Sequence, residues 1–306
     1  MAGGLGRRRF AVTAGLAMAA ASAAGSKALD AATPVRTSSA AVPPATDTAV
    51  RIAYGPDPDN FGDLYLPAHN SGPHPVVVLI HGGGWSQNRT LAQFAPHAKG
   101  LADEGIAVWN IEYRRVNGAG GWPITLTDVE DAVAALATVV QRRCANRLNL
   151  RRVHLSGHSS GGHLAAWAAG RIVSETGMVE TLPQIRVRSA TLMAAVLDLE
   201  LAATRGRDGF VRKLLGGGPD EVPERYQAAS PIEHLPVGVR TVALHGDQDR
   251  VVDLEQSRRY VAALTRAGGG ADLQVLRGTG HGEFVDPASA AWAATRQTIL
   301  DHVALL

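Results

Sequence analysis

The stretch of sequence that decides the fold spans nine residues, Val153-His154-Leu155-Ser156-Gly157-His158-Ser159-Ser160-Gly161. Its first four residues have the apolar character of a buried strand, and residues from Ser160 onward have a helical pattern. The segment between Gly157 and Gly161 fits G-x-S-x-G, in which the glycines permit a sharp turn that exposes the serine hydroxyl. A Ser/Gly turn that only caps a helix has the same letters, so the motif needs support from other segments.

Short β-rich runs alternate with helical patterns along most of the chain after residue 50. Alternation of this kind is typical of the α/β class, with a mostly parallel central sheet covered by helices on both faces. The predicted strands, of which the first two form an antiparallel pair, are Arg51–Tyr54, Asp63–Leu66, Pro75–Ile80, Ile106–Tyr113, Arg152–Ser156, Arg188–Leu197, Arg240–His245 and Ala271–Leu276. The predicted helices are Ala92–Glu104, Thr127–Arg142 with Thr127 or Asp128 as its cap, Ser160–Arg171, Asp253–Ala267 and Pro287–Leu306.

We predict one catalytic domain over residues 50–306, since no internal repeat or second domain is visible. The segment of residues 199–235 is the irregular part, because it places Gly216-Gly217-Gly218-Pro219 and several charges between two strands. Long insertions of this kind often carry function. We interpret the segment as a lid or cap over the site.

A glycine-rich loop, His81-Gly82-Gly83-Gly84-Trp85, follows the Pro75–Ile80 strand. Glycines let backbone N–H groups approach a substrate closely and stabilise a developing oxyanion, a contribution of about 3 kcal/mol per donor. We predict an oxyanion hole from the N–H groups of Gly83, Gly84 and Ser160. A phosphate-binding loop is excluded because neither G-x-G-x-x-G nor Walker spacing is present. Trp85 is predicted either to wall the substrate pocket or to pack beneath the loop.

Two later segments supply an acid and a base. His245-Gly246-Asp247-Gln248-Asp249 follows a late strand, and Gly280-His281-Gly282 follows the next one. The chain order serine, aspartate, histidine is the order of α/β hydrolases rather than of chymotrypsin or subtilisin. In this arrangement His281 takes the proton of Ser159, and Asp249 or its rival Asp247 orients the imidazole.

The remaining histidines have no catalytic position in this order. We therefore interpret His158, His163 and His245 as structural. No cluster of His, Cys and carboxylate residues has the spacing of metal ligands, so a metal is not expected. Cys144 is the one cysteine of the sequence, which excludes an internal disulfide and indicates a buried, unreactive thiol.

Residues 1–45 are predicted to be a signal peptide and an Ala/Pro/Ser/Thr-rich linker. Arg7-Arg8-Arg9-Phe10 precedes a weakly apolar run from Ala11 to Ala24, and small residues follow it. The arginines resemble a twin-arginine export signal, which implies the twin-arginine export machinery as a partner and a periplasmic or secreted protein. The run is shorter than the ~20 residues of a membrane span, so no stable span is expected after cleavage.

The charge of the chain is concentrated in the same leader. Five of the 30 basic residues but one of the 28 acidic residues lie within it, so the remainder has a net charge of −2. This balance argues against nucleic acid or an anionic membrane as a partner. With 45% hydrophobic residues, the chain can bury a sizeable core.

From about Arg51 to Leu306, the chain resembles the esterase and lipase branch of the α/β-hydrolase family, near its kynurenine-formamidase-like and feruloyl/acetyl-xylan-esterase-like groups. Besides the catalytic segments, the resemblance lies in Asn110–Arg115, in Gly121-Trp122-Pro123 followed by Asp128, and in Ser160–Leu164. These segments are expected to support the loops around the site. Ser160 stands where the common Gly-His-Ser-Ala-Gly-Gly motif has alanine. The resemblance favours Asp249 over Asp247.

The resemblance implies a serine hydrolase that cleaves carboxylic esters through an acyl-enzyme, without a cofactor. An amide hydrolase, either an arylformamidase or a serine peptidase, is the alternative that uses the same residues. A noncatalytic binding protein on the same fold is the second alternative. The substrate is expected to be a small-molecule ester or amide, and one fold hosts many such chemistries.

Overall fold

The computed structural model describes residues 49–68, 72–174, 185–205 and 209–305. Within these ranges, apolar runs of the sequence form strands that pair into a single sheet. The predicted leader of residues 1–45 lies outside this range. The strands are β1 (Val50–Ala53), β2 (Phe61–Tyr65), β3 (His74–Ile80), β4 (Ala107–Ile111), β5 (Leu148–His158), β6 (Val187–Met193), β7 (Arg240–Gly246) and β8 (Ala271–Leu276).

The strands are ordered β1-β2-β4-β3-β5-β6-β7-β8 across the sheet. The first two pair antiparallel with each other, and β2 pairs antiparallel with β4. All other neighbouring pairs are parallel. The predicted opening antiparallel pair and the mostly parallel remainder are therefore confirmed.

Helices connect the strands. They are α1 (Ala95–Asp103), α2 (Ile124–Ala134), α3 (Val139–Arg143), α4 (Ser160–Ser174), α5 (Leu199–Arg205), α6 (Phe210–Leu215), α7 (Pro223–Ala229), α8 (Glu255–Arg266) and α9 (Ala290–Ala304). None of the helices in the described ranges is both long and apolar enough to cross a bilayer.

The central strand β3 shows why both faces of the sheet are covered. Side chains of a strand alternate between faces, and Val76, Val78 and Ile80 belong to one core while Val77 and Leu79 belong to the other. Helices α2 and α4 contribute to the first core, and α1 and α9 contribute to the second. The helices on both faces agree with the prediction from the alternation of strand and helix patterns.

Several predicted elements are shorter in the structure than expected, and in two of them a backbone conformation explains the difference. The helix predicted over Thr127–Arg142 starts at Ile124 and is interrupted at Thr138, whose φ of −123° and ψ of −99° are not helical. The predicted cap is also wrong, because Pro123 is the N-cap residue and the carboxylate of Asp128 binds Arg114 instead. The sixth strand ends at Met193 rather than Leu197, since Ala194 has a φ of +44°.

The segment of residues 199–235 contains α5, α6 and α7 in its described part. Several of its buried side chains, among them Leu199, Leu214 and Tyr226, belong to the first core. Its backbone also contacts the rest of the domain, since the carbonyl of Leu214 accepts a hydrogen bond from the N–H of Trp122. The segment therefore packs on the sheet as part of the domain.

Cys144 is buried as predicted, and burial raises the pKa of its thiol. A raised thiol pKa lowers the fraction of reactive thiolate at neutral pH. Burial and a raised thiol pKa are the properties expected of an unreactive cysteine in the core.

Candidate active site

The turn after β5 has the strained geometry of a nucleophile elbow. Ser159 has a φ of +56°. Residues other than glycine rarely adopt this backbone conformation, and where they do it is often at a functional site. Helix α4 begins at the next residue, so its N-terminal N–H groups point toward this turn. Gly161 must be glycine, because an added Cβ would lie 2.2 Å from the carbonyl oxygen of Ile80.

The glycine-rich loop after β3 lies against this turn. A Cβ added to Gly82 would lie 2.8 Å from the carbonyl oxygen of His158 and 3.3 Å from the Cβ of Ser159. Gly83 and Gly84 have φ values of +118° and +62°, which glycine adopts without strain. Neither N–H of these two glycines forms a hydrogen bond within the described part of the chain. Two backbone donors are therefore free beside the serine turn.

A buried carboxylate holds the strand ends beneath this loop. Glu112 is 1% exposed and accepts hydrogen bonds from His81 Nε2 at 2.8 Å and from the N–H of Leu91 at 3.0 Å. Arg115 pairs with the same carboxylate at 3.2 Å. A buried charge with several donors is held in one geometry. These contacts tie β4 to the start of the loop.

The phenol of Tyr113 completes this support. Its ring stacks on His81 at 4.5 Å between centroids, and its O–H donates to the carbonyl of His81 at 2.9 Å. Burial raises the pKa of Tyr113 well above the usual range, so the phenol remains a neutral donor. The segment Asn110–Arg115 thus contacts the loop, in the place that the sequence resemblance suggested.

The side chain of Trp85, the last residue of the glycine-rich loop, packs beneath that loop. It is 2% exposed, and its indole N–H donates to Nδ1 of His163 at 3.1 Å. Nε2 of His163 donates to the carbonyl of Ala229 at 2.9 Å, and burial lowers the pKa of this histidine to about 4. The histidine is thus neutral and structural. Of the two roles predicted for Trp85, this geometry favours packing beneath the loop over walling the pocket.

Asp249 and His281 are brought together from two loops that follow neighbouring strands, β7 and β8. Nδ1 of His281 lies 2.7 Å from Oδ2 of Asp249, whose side chain has no exposed surface. Oδ1 of the same carboxylate accepts the N–H groups of Val251 and Val252 at 2.8 and 2.9 Å. The two carboxylate oxygens therefore have separate partners, one for the imidazole and one for the loop backbone.

The other candidate acid, Asp247, does not contact the imidazole of His281. Asp247 is exposed, and its Oδ1 accepts the N–H of Gly278 at 2.7 Å in the loop that leads to His281. The hydrogen-bond geometry thus favours Asp249 as the acid, as the sequence resemblance did.

His245 is a further contact of the acid that the sequence did not reveal. Its Nε2 lies 3.3 Å from Oδ2 of Asp249 and 3.0 Å from the carbonyl oxygen of Val252. Burial alone would raise the pKa of Asp249, but hydrogen bonds from His245 and His281 outweigh burial and hold this pKa well below the usual range. The acid therefore stays ionised. Spacing of four residues between His245 and Asp249 was the one available signal, and it is weak outside a helix.

His158 links the serine turn to the base. Its Nε2 donates to the backbone carbonyl of His281 at 2.9 Å, and the two rings lie 4.5 Å apart between centroids. Burial, together with the neighbouring His281, lowers the pKa of His158 to about 3. A neutral imidazole next to Ser159 thus fixes the position of the loop that carries His281.

The side chain of Phe210 contacts the glycine-rich loop. This residue begins α6, is 37% exposed, and lies so that a Cβ on Gly84 would meet its ring at 3.0 Å. No motif in the segment of residues 199–235 predicts this contact with a distant glycine. The part of this segment at Phe210 therefore lies against the glycine-rich loop.

Comparison with known proteins adds the family. The BD-FAE family model matches residues 62–264, which is more than half of the chain and extends from β2 into α8. The chain belongs to the BD-FAE family. The α/β-hydrolase fold predicted from the serine motif and the strand order is confirmed by this match and by the sheet.

Individual relatives of this BD-FAE family member are esterases and a formamidase. Esterase LipC of Mycobacterium tuberculosis is 29% identical over 246 residues, which cover 76% of this chain and 59% of LipC. Kynurenine formamidase of Danio rerio is 22% identical over 241 residues, which cover 79% of this chain and 77% of that protein. The chain thus spans less than two thirds of LipC.

A solved structure shares the fold. A thermophilic esterase of Thermogutta terrifontis has a TM-score of 0.66 and 24% identity, and the match covers 83% of this chain and 91% of that chain. In the described part of this BD-FAE family member, no group of three or more His, Cys, Asp or Glu residues is placed to hold a metal ion.

Proposed function

We propose that this BD-FAE family member is a serine hydrolase that cleaves carboxylic esters through an acyl-enzyme. Ser159 is the nucleophile, His281 the general base and Asp249 the acid that orients it. The observation that carries this proposal is the 2.7 Å hydrogen bond between His281 and the fully buried Asp249, at the sheet edge where the strained Ser159 turn also lies. The esterase names of the relatives support the same chemistry.

The protonation states follow from the hydrogen bonds. An ionised Asp249 only accepts hydrogen bonds, so Nδ1 of His281 carries the proton and Nε2 carries a lone pair. This tautomer takes the proton from the Ser159 hydroxyl as the oxygen attacks the ester carbonyl. The resulting imidazolium is stabilised by the neighbouring carboxylate.

The developing oxyanion is stabilised by the backbone N–H groups of Gly83, Gly84 and Ser160. The first two lie on the loop in contact with the serine turn, and the third opens α4. Donors fixed before the reaction need no reorganisation when charge develops. Burial of Glu112 beneath the loop supports this preorganisation, because its contacts hold the strand ends that carry the donors.

The later steps reverse these roles. As the tetrahedral intermediate collapses, protonated His281 gives its proton to the leaving alkoxide oxygen, and the alcohol departs to leave the acyl-Ser159 intermediate. A water molecule then gives a proton to His281 as it attacks the acyl carbonyl, and His281 returns this proton to the Ser159 oxygen as the acid departs. Every proton transfer in this proposal uses His281.

Purified protein should hydrolyse p-nitrophenyl acetate and butyrate and should take up a fluorophosphonate on Ser159. Ser159→Ala should lose both properties. Ser156→Ala is the matched control, because its hydroxyl donates to the carbonyl of Thr191 within the sheet and takes no part in the reaction. A wild-type protein that neither turns over these esters nor reacts with the fluorophosphonate would instead be a noncatalytic member of the fold.

Amide hydrolysis is the second candidate, and the match to a kynurenine formamidase favours it. The same three residues serve both reactions, but the leaving amine must be protonated as it departs. Release of kynurenine from N-formylkynurenine, at a kcat/KM above that for p-nitrophenyl butyrate, would make the chain a formamidase. The opposite ranking supports the esterase.

We also propose that the precursor is exported through the twin-arginine route. The support is the sequence Arg7-Arg8-Arg9-Phe10 and the weakly apolar run after it. A reporter fused after residue 45 should reach the periplasm or the medium of a bacterial host. Replacing Arg7 and Arg8 with lysine in the fusion should block its export, and export of the doubly substituted fusion would refute the route.

A further inference from the structure

A cavity of about 220 Å³ lies beside the proposed catalytic acid, and Asp249 belongs to its lining. The backbone nitrogen of Val196, also in the lining, is 3.4 Å from the carbonyl oxygen of Ser159. Sites for a whole drug-sized ligand measure roughly 300–1,000 Å³. The cavity is therefore of a size to receive one part of a substrate whose ester bond lies at Ser159.

One wall of this cavity is apolar. Val196, Leu201, Ala202 and Val252 line it, from the loop after β6, from α5 and from the loop after β7. Apolar side chains at these positions suit the methylene groups of a short chain. They do not by themselves select the group at its end.

Two arginines in the same lining can select the charge of the group at the end of that chain. Arg205 ends α5, and Arg250 follows the catalytic acid. Arg205 has one carboxylate partner among the described residues, Asp253, at 3.9 Å, and the two side chains are 58% and 52% exposed. A pair so long and so exposed contributes little energy. Arg250 forms no ion pair with a described carboxylate.

The other carboxylate in the lining, Asp249, forms no ion pair with either arginine among the described contacts. Asp249 is fully buried and receives hydrogen bonds from two histidines and two backbone N–H groups. Its four acceptor positions are occupied. Within the described part of the chain, the two guanidinium groups of this cavity therefore have one direct carboxylate partner, Asp253 at 3.9 Å, and both retain hydrogen-bond donors for a ligand.

We propose that this cavity is a subsite for a carboxylate carried by the substrate, so that the enzyme prefers esters with one negative charge. A guanidinium group binds a carboxylate through two parallel hydrogen bonds, and the apolar wall packs against the intervening methylene groups. The inference rests on the proposed ester hydrolysis and adds the chemical class of its substrate.

Matched pairs of esters test the subsite. On the acyl side, p-nitrophenyl hydrogen glutarate is compared with p-nitrophenyl pentanoate. On the alcohol side, 4-acetoxybenzoate is compared with 4-methylphenyl acetate. The variants are Arg205→Gln and Arg250→Gln, and the control is Arg258→Gln, which removes the same charge from an exposed position outside this cavity.

In at least one pair, each cavity variant should lower kcat/KM for the anionic ester about tenfold more than for its neutral partner. The Arg258→Gln control should change both esters of each pair by the same factor. The preference of the wild type for the anionic ester over its neutral partner should also decrease in about 0.5 M salt, because salt screens exposed charges.

Equal effects on the neutral and anionic esters in both pairs would overturn the subsite. The proposed function would still stand in that case if wild-type protein hydrolysed p-nitrophenyl pentanoate and Ser159→Ala did not. Absence of turnover of all four esters by the wild type would instead overturn the proposed function itself.

Discussion

Asp249→Asn should abolish catalysis through the tautomer of the base while leaving the fold intact. The two carboxylate oxygens have different partners: Oδ1 accepts the N–H groups of Val251 and Val252, and Oδ2 faces Nδ1 of His281 and Nε2 of His245. An asparagine amide keeps one oxygen acceptor and replaces the other with an NH₂ donor. The backbone N–H groups will retain the oxygen, because turning the amide would set NH₂ against two donors.

The NH₂ group then faces the imidazole of His281. Its hydrogen bond is satisfied only if Nδ1 becomes an acceptor, which moves the proton of the neutral ring to Nε2. That nitrogen can no longer accept the proton of Ser159. In a serine protease with the same arrangement, this change lowers kcat about 10⁴-fold, which corresponds to about 5.4 kcal/mol of transition-state stabilisation.

The assay measures kcat and KM for p-nitrophenyl butyrate at pH 7.5, and the thermal unfolding transition of each variant checks that it is folded. We expect the loss in kcat, with KM within about threefold, because Asp249 acts through the imidazole of His281 and the carboxylate-free butyrate ester makes no ion pair in the proposed subsite. Asp247→Asn is the matched control. Its side-chain oxygen can keep the hydrogen bond to Gly278, so kcat should fall less than threefold. A loss below tenfold in Asp249→Asn, or a larger loss in Asp247→Asn, would refute the assignment of the acid.

Two further predictions concern stability. Gly161→Ala should lower the free energy of unfolding by more than about 2 kcal/mol, because its Cβ would lie 2.2 Å from the backbone oxygen of Ile80; Gly100→Ala, whose Cβ meets nothing within 4 Å in α1, should be neutral or stabilising. Stability should also fall as the pH drops below 6.5, because burial lowers the pKa of His158 to about 3 and that of His163 to about 4. The unfolded chain binds more protons in this window, which gives a slope of about 1.4 kcal/mol per pH unit for each histidine.

Urea denaturation measures both effects. Equal unfolding midpoints for Gly161→Ala and Gly100→Ala would show that the contact between α4 and the end of β3 is not tight. A midpoint that stays constant between pH 6.5 and 4.5 would show that the two histidines are not buried in the neutral form.

The local sequence is enough to predict the serine turn and the strands around it. A strand, a turn bounded by glycines and a helix are specified by neighbouring residues, and a continuous apolar run such as Val76–Ile80 indicates burial on both faces. Parallel strands place their carboxyl ends at one edge of the sheet. The approach of the Asp249 and His281 loops therefore followed from motif order along the chain.

Local pattern was less informative where backbone geometry or distant packing decides the outcome. The helical pattern of residues 127–142 continues through Thr138, yet the chain leaves helical geometry there. The burial of Trp85 depends on His163, which is 78 residues away. A side chain with two chemically sensible environments is assigned to one of them only by its neighbours in space.

The sequence by itself determined the fold class, the order of the catalytic segments and the candidate Ser159 and His281, because each depends on residues close together in the chain. Only the tertiary structure decided that Oδ2 of Asp249 binds two histidines and that the ring of Phe210 lies against Gly84. Hydrogen bonds of 2.7 to 3.3 Å between loops depend on how whole elements pack, and packing geometry is not encoded in any short stretch of residues.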